Sequence, residues 1–354
     1  MTDPADSPVP PPGAEITLRD VARLAGVSVS TASRVINRTC GVSPAYAAAV
    51  QAVLERFSYI PNNAARALVR QKTRTVGLVV PTLSNPLFAP SIAAIEATLR
   101  DAGYGLLVAC SQRAPERELE QVRMMIERGV DGMILTGSHH LPATLGLLAS
   151  RGVVLATQDD PAACAGALSV AMQDAAAMAT VIDALVMRGH RTIGILTGPV
   201  ANTLPIAERL RGAIQRLEHH GLPHGAGHIM ETADYQAASS RRAARTLLDR
   251  VRGLTAIACT GDILAIGTIM ECRRRGLRIP QDISIVGCGD TVMSQFVDPP
   301  LATIHLPFGT MGEQAARRLL CVMAGNPLPP ARPLPFRLIQ RHTLNRMPRV
   351  PPGA

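Results

Sequence analysis

Eight short apolar runs between residues 75 and 289 dictate how most of this chain must fold. They are TVGLVV (75–80), GLLVAC (105–110), GMILTG (132–137), VVLAT (153–157), ALSVAM (167–172), TIGILTG (192–198), AIACTG (256–261) and ISIVGCG (283–289). Each is apolar at consecutive positions rather than alternate ones, and amphipathic helical stretches separate them. Strands of that kind are covered on both faces, as in parallel sheets flanked by helices. So many units exceed one doubly wound sheet and predict two α/β subdomains. Ligands of open α/β sheets sit beyond the carboxyl ends of the strands, so the cleft between the subdomains is the expected pocket.

A different pattern precedes these runs. In TLRDVARLAGVSVSTASRVIN (17–37), Thr17 and Asp20 make a T-x-x-D capping box that opens a helix with Leu18, Val21, Ala22 and Ala25 facing inward. Gly26 supplies a left-handed corner, Val27 turns inward, and Ser28 caps a second helix. That helix presents Val29, Ser30, Ser33 and Arg34 outward and keeps Ala32, Val35 and Ile36 for packing. Such a face can enter a DNA major groove without steric conflict. Ser43 and Pro44 start a third helix with Tyr46, Val50, Val53, Leu54 and Phe57 on one stripe. Asn62 then caps a short Ala-rich helix ending near Val69.

Charge follows the same division. The 354-residue chain has a formal net charge of +9. Residues 15–74 hold nine basic side chains (Arg19, Arg23, Arg34, Arg38, Arg56, Arg66, Arg70, Lys72, Arg74) against three acids (Glu15, Asp20, Glu55). That surplus points to a polyanion partner for the N-terminal part alone. The seven cysteines (Cys40, Cys110, Cys164, Cys259, Cys272, Cys288, Cys321) are scattered and lack a C-x-x-C pair, which fits reduced thiols rather than a disulfide frame or a zinc site. His219, His220, His224 and His228 invite a metal reading, but Gly221 and Pro223 break any helix between them. A solvated loop is expected there, with no metal and no cofactor. Neither a leader peptide nor a membrane-length apolar run is seen, so a soluble cytoplasmic protein is expected. Residues 1–14 are Pro-rich and are expected to be a disordered tail.

The segments AGVSVSTASRVIN (25–37), YIPNNAARAL (59–68) and TRTVGLVVPTLSNPLF (73–88) resemble the lactose-repressor/galactose-repressor (LacI/GalR) family of bacterial transcription regulators. The resemblance runs from about Ile16 to about Arg341. It implies an N-terminal all-α helix-turn-helix headpiece and a periplasmic-binding-protein-like body of two doubly wound parallel-sheet subdomains. The expected boundaries are a tail at 1–14, headpiece at 15–60, hinge helix at 61–72, and an effector-binding and dimerisation domain at 73–354. Within the last, one subdomain takes 73–172 with 303–331 and the other 173–302 with 332–346, the chain crossing near Met172, Ala302 and Arg332. The implied function is repression of transcription by a homodimer on a pseudo-palindromic operator in double-stranded DNA, under control of a small-molecule effector.

Arg34 is the first candidate for a base contact, because its planar fork can donate two hydrogen bonds to guanine in the major groove. The resemblance places Val29 and Ser30 among positions that vary with operator sequence and puts Thr31 at the same surface. Thr17, Ser28, Ser33 and Asn37 read as phosphate or cap residues, and for Thr17 a purely capping role stands equally with a DNA contact. In the hinge, Asn62 and Ala65 accompany Leu68, which matches the family's minor-groove leucine. Such a wedge costs on the order of a few kcal/mol of unstacking and kinks the duplex. Tyr46 and Ala47 stand where relatives often carry Thr and Arg, so phosphate contacts are fewer there.

The resemblance also implies effector contacts. Leu87 and Phe88 cover one face of the ligand, and Arg209 in AERLRGA matches a pocket arginine. Two positions depart from the sugar-binding pattern. Gly261-Asp262 replaces an Asn-Asp pair, and Gly289 in GCGD replaces the first Asp of a GFDD-like run. Asp262 and Asp290 remain, as ligand contacts or as caps of the helices that follow. With Arg209 less opposed by acid, an anionic effector such as a sugar acid or other carboxylate is expected; a nucleobase or a neutral sugar stays open. Whether the effector releases or recruits the repressor is also open.

Two other functions compete. A periplasmic-type solute-binding protein would share the body but has no use for a basic headpiece. An α/β enzyme is disfavoured, since no G-x-G-x-x-G follows the first strand and neither a P-loop nor a G-x-S-x-G elbow occurs. Cys259 and Cys288 lack an identifiable base and read as packing residues.

Overall fold

The computed structural model describes residues 16–37, 41–59, 72–159, 168–201, 203–328 and 333–345. The chain divides into two compact units between Thr73 and Arg74.

Among the described residues the first unit holds three helices, α1 (Leu18–Leu24), α2 (Val29–Ile36) and α3 (Pro44–Arg56). Each start has its own side-chain cap. Thr17 and Asp20 cap each other reciprocally, Ser28 accepts from the Thr31 N–H, and Ser43 accepts from the Tyr46 N–H. Gly26, at φ +66°, makes the corner between α1 and α2. Ile16, Val21, Ala22, Ala32, Val50 and Phe57 are buried together as the core. Tyr46 departs from its expected place: it is exposed, so the inward stripe of α3 begins only at Val50. The hinge positions Asn62, Ala65 and Leu68 lie outside the described residues.

The second unit contains two sheets. The first has β1 (Thr75–Val80), β2 (Gly105–Cys110), β3 (Gly132–Thr136), β4 (Val154–Gln158) and β5 (Leu168–Val170), all parallel in the order β2-β1-β3-β4-β5. The second has β6 (Ile193–Thr197), β7 (Ile229–Glu231), β8 (Ala256–Cys259), β9 (Ser284–Gly289), β10 (Ala302–His305) and β11 (Arg337–Ile339) in the order β11-β10-β9-β8-β6-β7. Only β11 is antiparallel there, against β10. Helices α4 (Ala89–Asp101), α5 (Pro115–Glu127) and α6 (Pro142–Ser150) belong to the first sheet, and α7 (Asp174–Val186), α8 (Leu204–His219), α9 (Ala237–Arg250) and α10 (Asp262–Arg274) to the second. After the short α11 (Met293–Phe296), α12 (Phe308–Met323) returns to pack on α4 and the first sheet. Strand burial on both faces follows from this cover: β6, β8 and β9 are buried throughout.

One crossing lies later than expected. β10 pairs with β9, so residues 302–305 belong to the second subdomain and the chain leaves it only at Leu306 and Pro307. The first crossing falls between Val170 and Asp174. Arg332 is outside the described residues.

One charge cluster in this unit gives a pH-dependent prediction. The Glu271 side chain, 2% exposed at the end of α10, accepts from Arg274 Nη2 at 2.6 Å and Arg275 Nε at 3.0 Å. Those hydrogen bonds, Arg274's first, outweigh burial and hold its carboxyl down at about 2. A depressed carboxylate stabilises the fold fully above its unfolded value and loses that contribution as pH falls toward the folded one. Both arginines reach solvent, so the gain is discounted to about 1 kcal/mol. Glu271→Gln should cost that much at pH 7 and markedly less at pH 3 in urea unfolding. An equal loss at both pH values would assign the effect to packing instead.

Candidate functional site

In the first unit, most of the residues expected to contact DNA lie along α2 and its caps. Val29, Ser30 and Arg34 are exposed while Ala32 is fully buried, which fixes the helix rotation. Ser28, Ser30 and Thr31 are tied together: the Ser28 hydroxyl lies 2.9 Å from Ser30 Oγ and 2.8 Å from Thr31 Oγ1 and accepts the Thr31 N–H at 3.1 Å. Asn37 Nδ2 donates to Ser33 Oγ at 3.2 Å, one turn earlier. Thr17 is engaged in its cap, with its hydroxyl donating to Asp20 Oδ2 at 2.7 Å and its N–H to the same oxygen at 3.0 Å. Those bonds hold the Asp20 carboxyl below its ordinary value.

In the second unit, the cleft opens where strand order reverses in each sheet. The segments after β1 and β3 face those after β6 and β8, as topological switch points require. Leu87 and Phe88, which follow β1 in a single 3₁₀ turn, line it, as do Arg209 and Asp262. Phe88 is otherwise held in the core, edge-on to Phe308 at 6.0 Å. Asp290 does not line the cleft. Its carboxylate is taken by His305 Nδ1 at 2.9 Å and Arg341 Nη2 at 2.7 Å.

Asp262 has a structural role besides its place in the lining. It is 2% exposed, and its oxygens accept from Thr303 Oγ1 (2.5 Å), the Thr291 N–H (2.6 Å) and Ser294 Oγ (2.8 Å). Burial pushes its carboxyl above the usual range against these hydrogen bonds. None of these three partners belongs to α10. A side chain on Gly289 would meet Leu87 Cδ1 at 2.8 Å, so Leu87 occupies the space that an Asp there would enter.

Arg209 overturns an expectation. It is 1% exposed, and its Nε–H donates to Asp174 Oδ1 at 2.6 Å while Nη1 donates to the Thr260 carbonyl at 3.0 Å. Burial works against the cation, while the neighbouring Cys288, Asp174 and Asp159 favour it, and the guanidinium stays charged. It is therefore not an acid-poor arginine awaiting a carboxylate.

Several cleft residues escaped the reading of the sequence. Arg113, after β2, stacks on the Tyr235 ring at 4.7 Å and donates to Thr203 Oγ1 at 3.1 Å, joining the two subdomains across the cleft. The Tyr235 hydroxyl is buried with no hydrogen-bond partner among the described residues. Gly198 leaves room for that ring, which a Cβ would overlap. Asp159 follows the carboxyl end of β4 directly and Arg113 lies three residues past that of β2, a signal that could have marked them; Tyr235, and Asp174 behind Arg209, had none. The thiols of Cys288, in the lining, and Cys259 are pushed up by burial to about 12, which suits packing and not nucleophilic chemistry. Among the described residues no group of three or more His, Cys, Asp or Glu is placed to hold a metal ion. His220 instead meets Asp183 at 2.6 Å and His224 meets Glu218 at 3.2 Å. No helix among them is long and apolar enough to cross a membrane.

Comparison with known proteins agrees with both units. Residues 17–62 match the model of bacterial regulatory proteins of the lacI family, and residues 182–344 match a periplasmic binding protein-like domain. The chain is 32% identical to the HTH-type transcriptional regulator reg1 of Streptomyces lividans over 324 residues, 88% of this chain and 91% of that protein. It is 31% identical to the HTH-type transcriptional repressor PurR of Klebsiella pneumoniae over 306 residues, 86% of this chain and 89% of that one. Among solved structures, that of the lac repressor dimer bound to operator and the anti-inducer ONPF has a TM-score of 0.84 at 26% identity, covering 94% of this chain and all of that one. The CelR–cellobiose complex has a TM-score of 0.69 at 26% identity, covering 93% of this chain. With a capped helix-turn-helix at one end, a two-sheet cleft in the body and regulators matched along most of its length, the chain belongs to the lacI family of bacterial regulatory proteins.

Proposed function

We propose that this chain is a transcriptional repressor that binds a pseudo-palindromic operator as a homodimer and is controlled by a small molecule held in the body's cleft. The observation that carries the reading is the outward face of α2, where Val29, Ser30 and Arg34 stand exposed on a helix whose other side is locked by Ala32. Arg34 reads a guanine edge, Val29 and Ser30 contact neighbouring bases, and Ser28, Thr31, Ser33 and Asn37 set the helix on the phosphates. Thr17, fully engaged with Asp20, acts as a cap. Leu68, with Asn62 and Ala65, is assigned to the minor groove by its motif alone. The homodimer is supported by two exposed apolar side chains of the body, Val292 and Phe296, the latter 74% exposed. A patch of that kind suits a self-complementary interface. An effector acts through its different affinity for the DNA-bound and free forms, by changing how the two subdomains meet across the cleft.

Footprinting the full-length protein on its own upstream DNA tests this. Arg34→Ala should weaken protection by about 1–3 kcal/mol, roughly five- to 150-fold, with relaxed preference at one base pair per half-site. Leu68→Ala should weaken it without changing that preference. Protection that survives both substitutions unchanged would remove the assignment of reading helix and hinge.

A further inference from the structure

Three features of the cleft, taken together, describe its ligand. The first is charge. In the lining the cations Arg209 and Arg113 stand with Asp159 and Asp262, and Asp174, outside the lining, is paired with Arg209, so the cleft has no positive surplus whether Asp262 is ionised or neutral. The buried Glu118 at its edge is paired with His140 at 2.8 Å and adds none. A ligand carboxylate at Arg209 would meet two carboxylates already there.

The second is the supply of open hydrogen-bonding groups. Arg209 spends Nε and one Nη1 proton on Asp174 and Thr260, and Nη2 has no partner among the described residues. The Tyr235 hydroxyl, in the same lining, is buried and likewise has no partner among the described residues. Buried polar groups are normally satisfied, and those that are not mark places where a ligand or water completes the set. Both residues line the same cleft, and both groups are donors. The third feature is the apolar wall. Leu87, Ile263, Ile266 and Met293 line the cleft, while Gly261 and Gly289 offer no side chain to a polyol. Leu87 fills the space in front of Gly289.

We infer that the effector is a neutral amphiphile, with a carbonyl or hydroxyl head accepting from Arg209 Nη2 and the Tyr235 hydroxyl and an aliphatic body against Leu87, Ile263, Ile266 and Met293. This rests on the reading of the cleft as the effector site and narrows its chemistry away from carboxylates and free sugars. A head without charge leaves the Arg209–Asp174 pair intact, and each apolar contact rewards length rather than hydroxylation.

Saturation-transfer NMR on the full-length protein without DNA tests the inference with four probes that vary one property each: hexanamide, hexanoate, acetamide and glucose. Hexanamide should bind at least tenfold more tightly than any of the others, with the strongest transfer on its terminal methyl. Tyr235→Phe removes only a hydroxyl that has no partner among the described residues, so the fold stays and hexanamide binding falls several-fold. Ile266→Asn should weaken hexanamide but leave acetamide unchanged. Hexanoate or glucose binding as well as hexanamide would overturn the inference, as would transfer to none of the four or a Tyr235→Phe variant that binds like the parent. Because these measurements need no operator, failure here leaves the footprint result standing, and failure of the footprint leaves this result interpretable.

Discussion

Replacing Asp174 by alanine is expected to lower the stability of the body by about 3–5 kcal/mol, the usual cost of stranding one member of a buried ion pair. Arg209 and Asp174 are 1% and 4% exposed, and a single 2.6 Å contact joins them. Without Asp174 the guanidinium keeps only the Thr260 carbonyl and the nearby Asp159. Domains hold only about 5–15 kcal/mol in all, so the loss should be visible as a large drop in the urea midpoint of the body's unfolding transition. Asp174→Asn keeps an acceptor for Nε–H and should cost less. Combining Asp174→Leu with Arg209→Met should recover most of the loss, since apolar replacement of both partners avoids burying an unpaired charge. A loss below about 1 kcal/mol for Asp174→Ala would mean that Asp159 takes over the pairing, and the cleft's charge balance would have to be redrawn.

That pair also shows where reading the sequence stops. Asp174 and Arg209 are 35 positions apart on different helices, and no local rule links them. Arg209 taken alone resembled an acid-poor cation, and its environment reversed the inference about the ligand. The headpiece was legible almost to the residue because caps, corners and helical stripes are local rules acting over three or four positions. Even there, Tyr46 lay on the helical stripe yet stands exposed, since the first turn of α3 extends beyond the small core. In the body, the strands with long apolar runs were visible, while β7, β10 and β11, three or four residues each, carry too few positions to show a pattern. Asp290 matched a motif position, but a neighbouring His305 and Arg341 draw its carboxylate out of the cleft.

Gly212→Ala is expected to destabilise the body by about 3 kcal/mol, while the same substitution at Gly146 should stabilise it by about 0.5–1 kcal/mol. Both glycines lie inside helices, where alanine is the better former, and neither has a positive φ. Their surroundings decide the sign. A Cβ on Gly146 meets nothing within 4 Å. One on Gly212 would overlap the carbonyl group of Ala175, a backbone contact that cannot swing aside. Helices α7 and α8 must then separate, and the consequence reaches the cleft. Ala175 follows Asp174, and Gly212 lies one helical turn beyond Arg209, so the close approach at Gly212 is what lets the Arg209–Asp174 contact form at 2.6 Å. Gly212→Ala and Asp174→Ala therefore act on one feature, and the double variant should lose clearly less than the sum of the two. Fully additive losses would show that the helices part without loosening the ion pair, and the link between their packing and the cleft would fail.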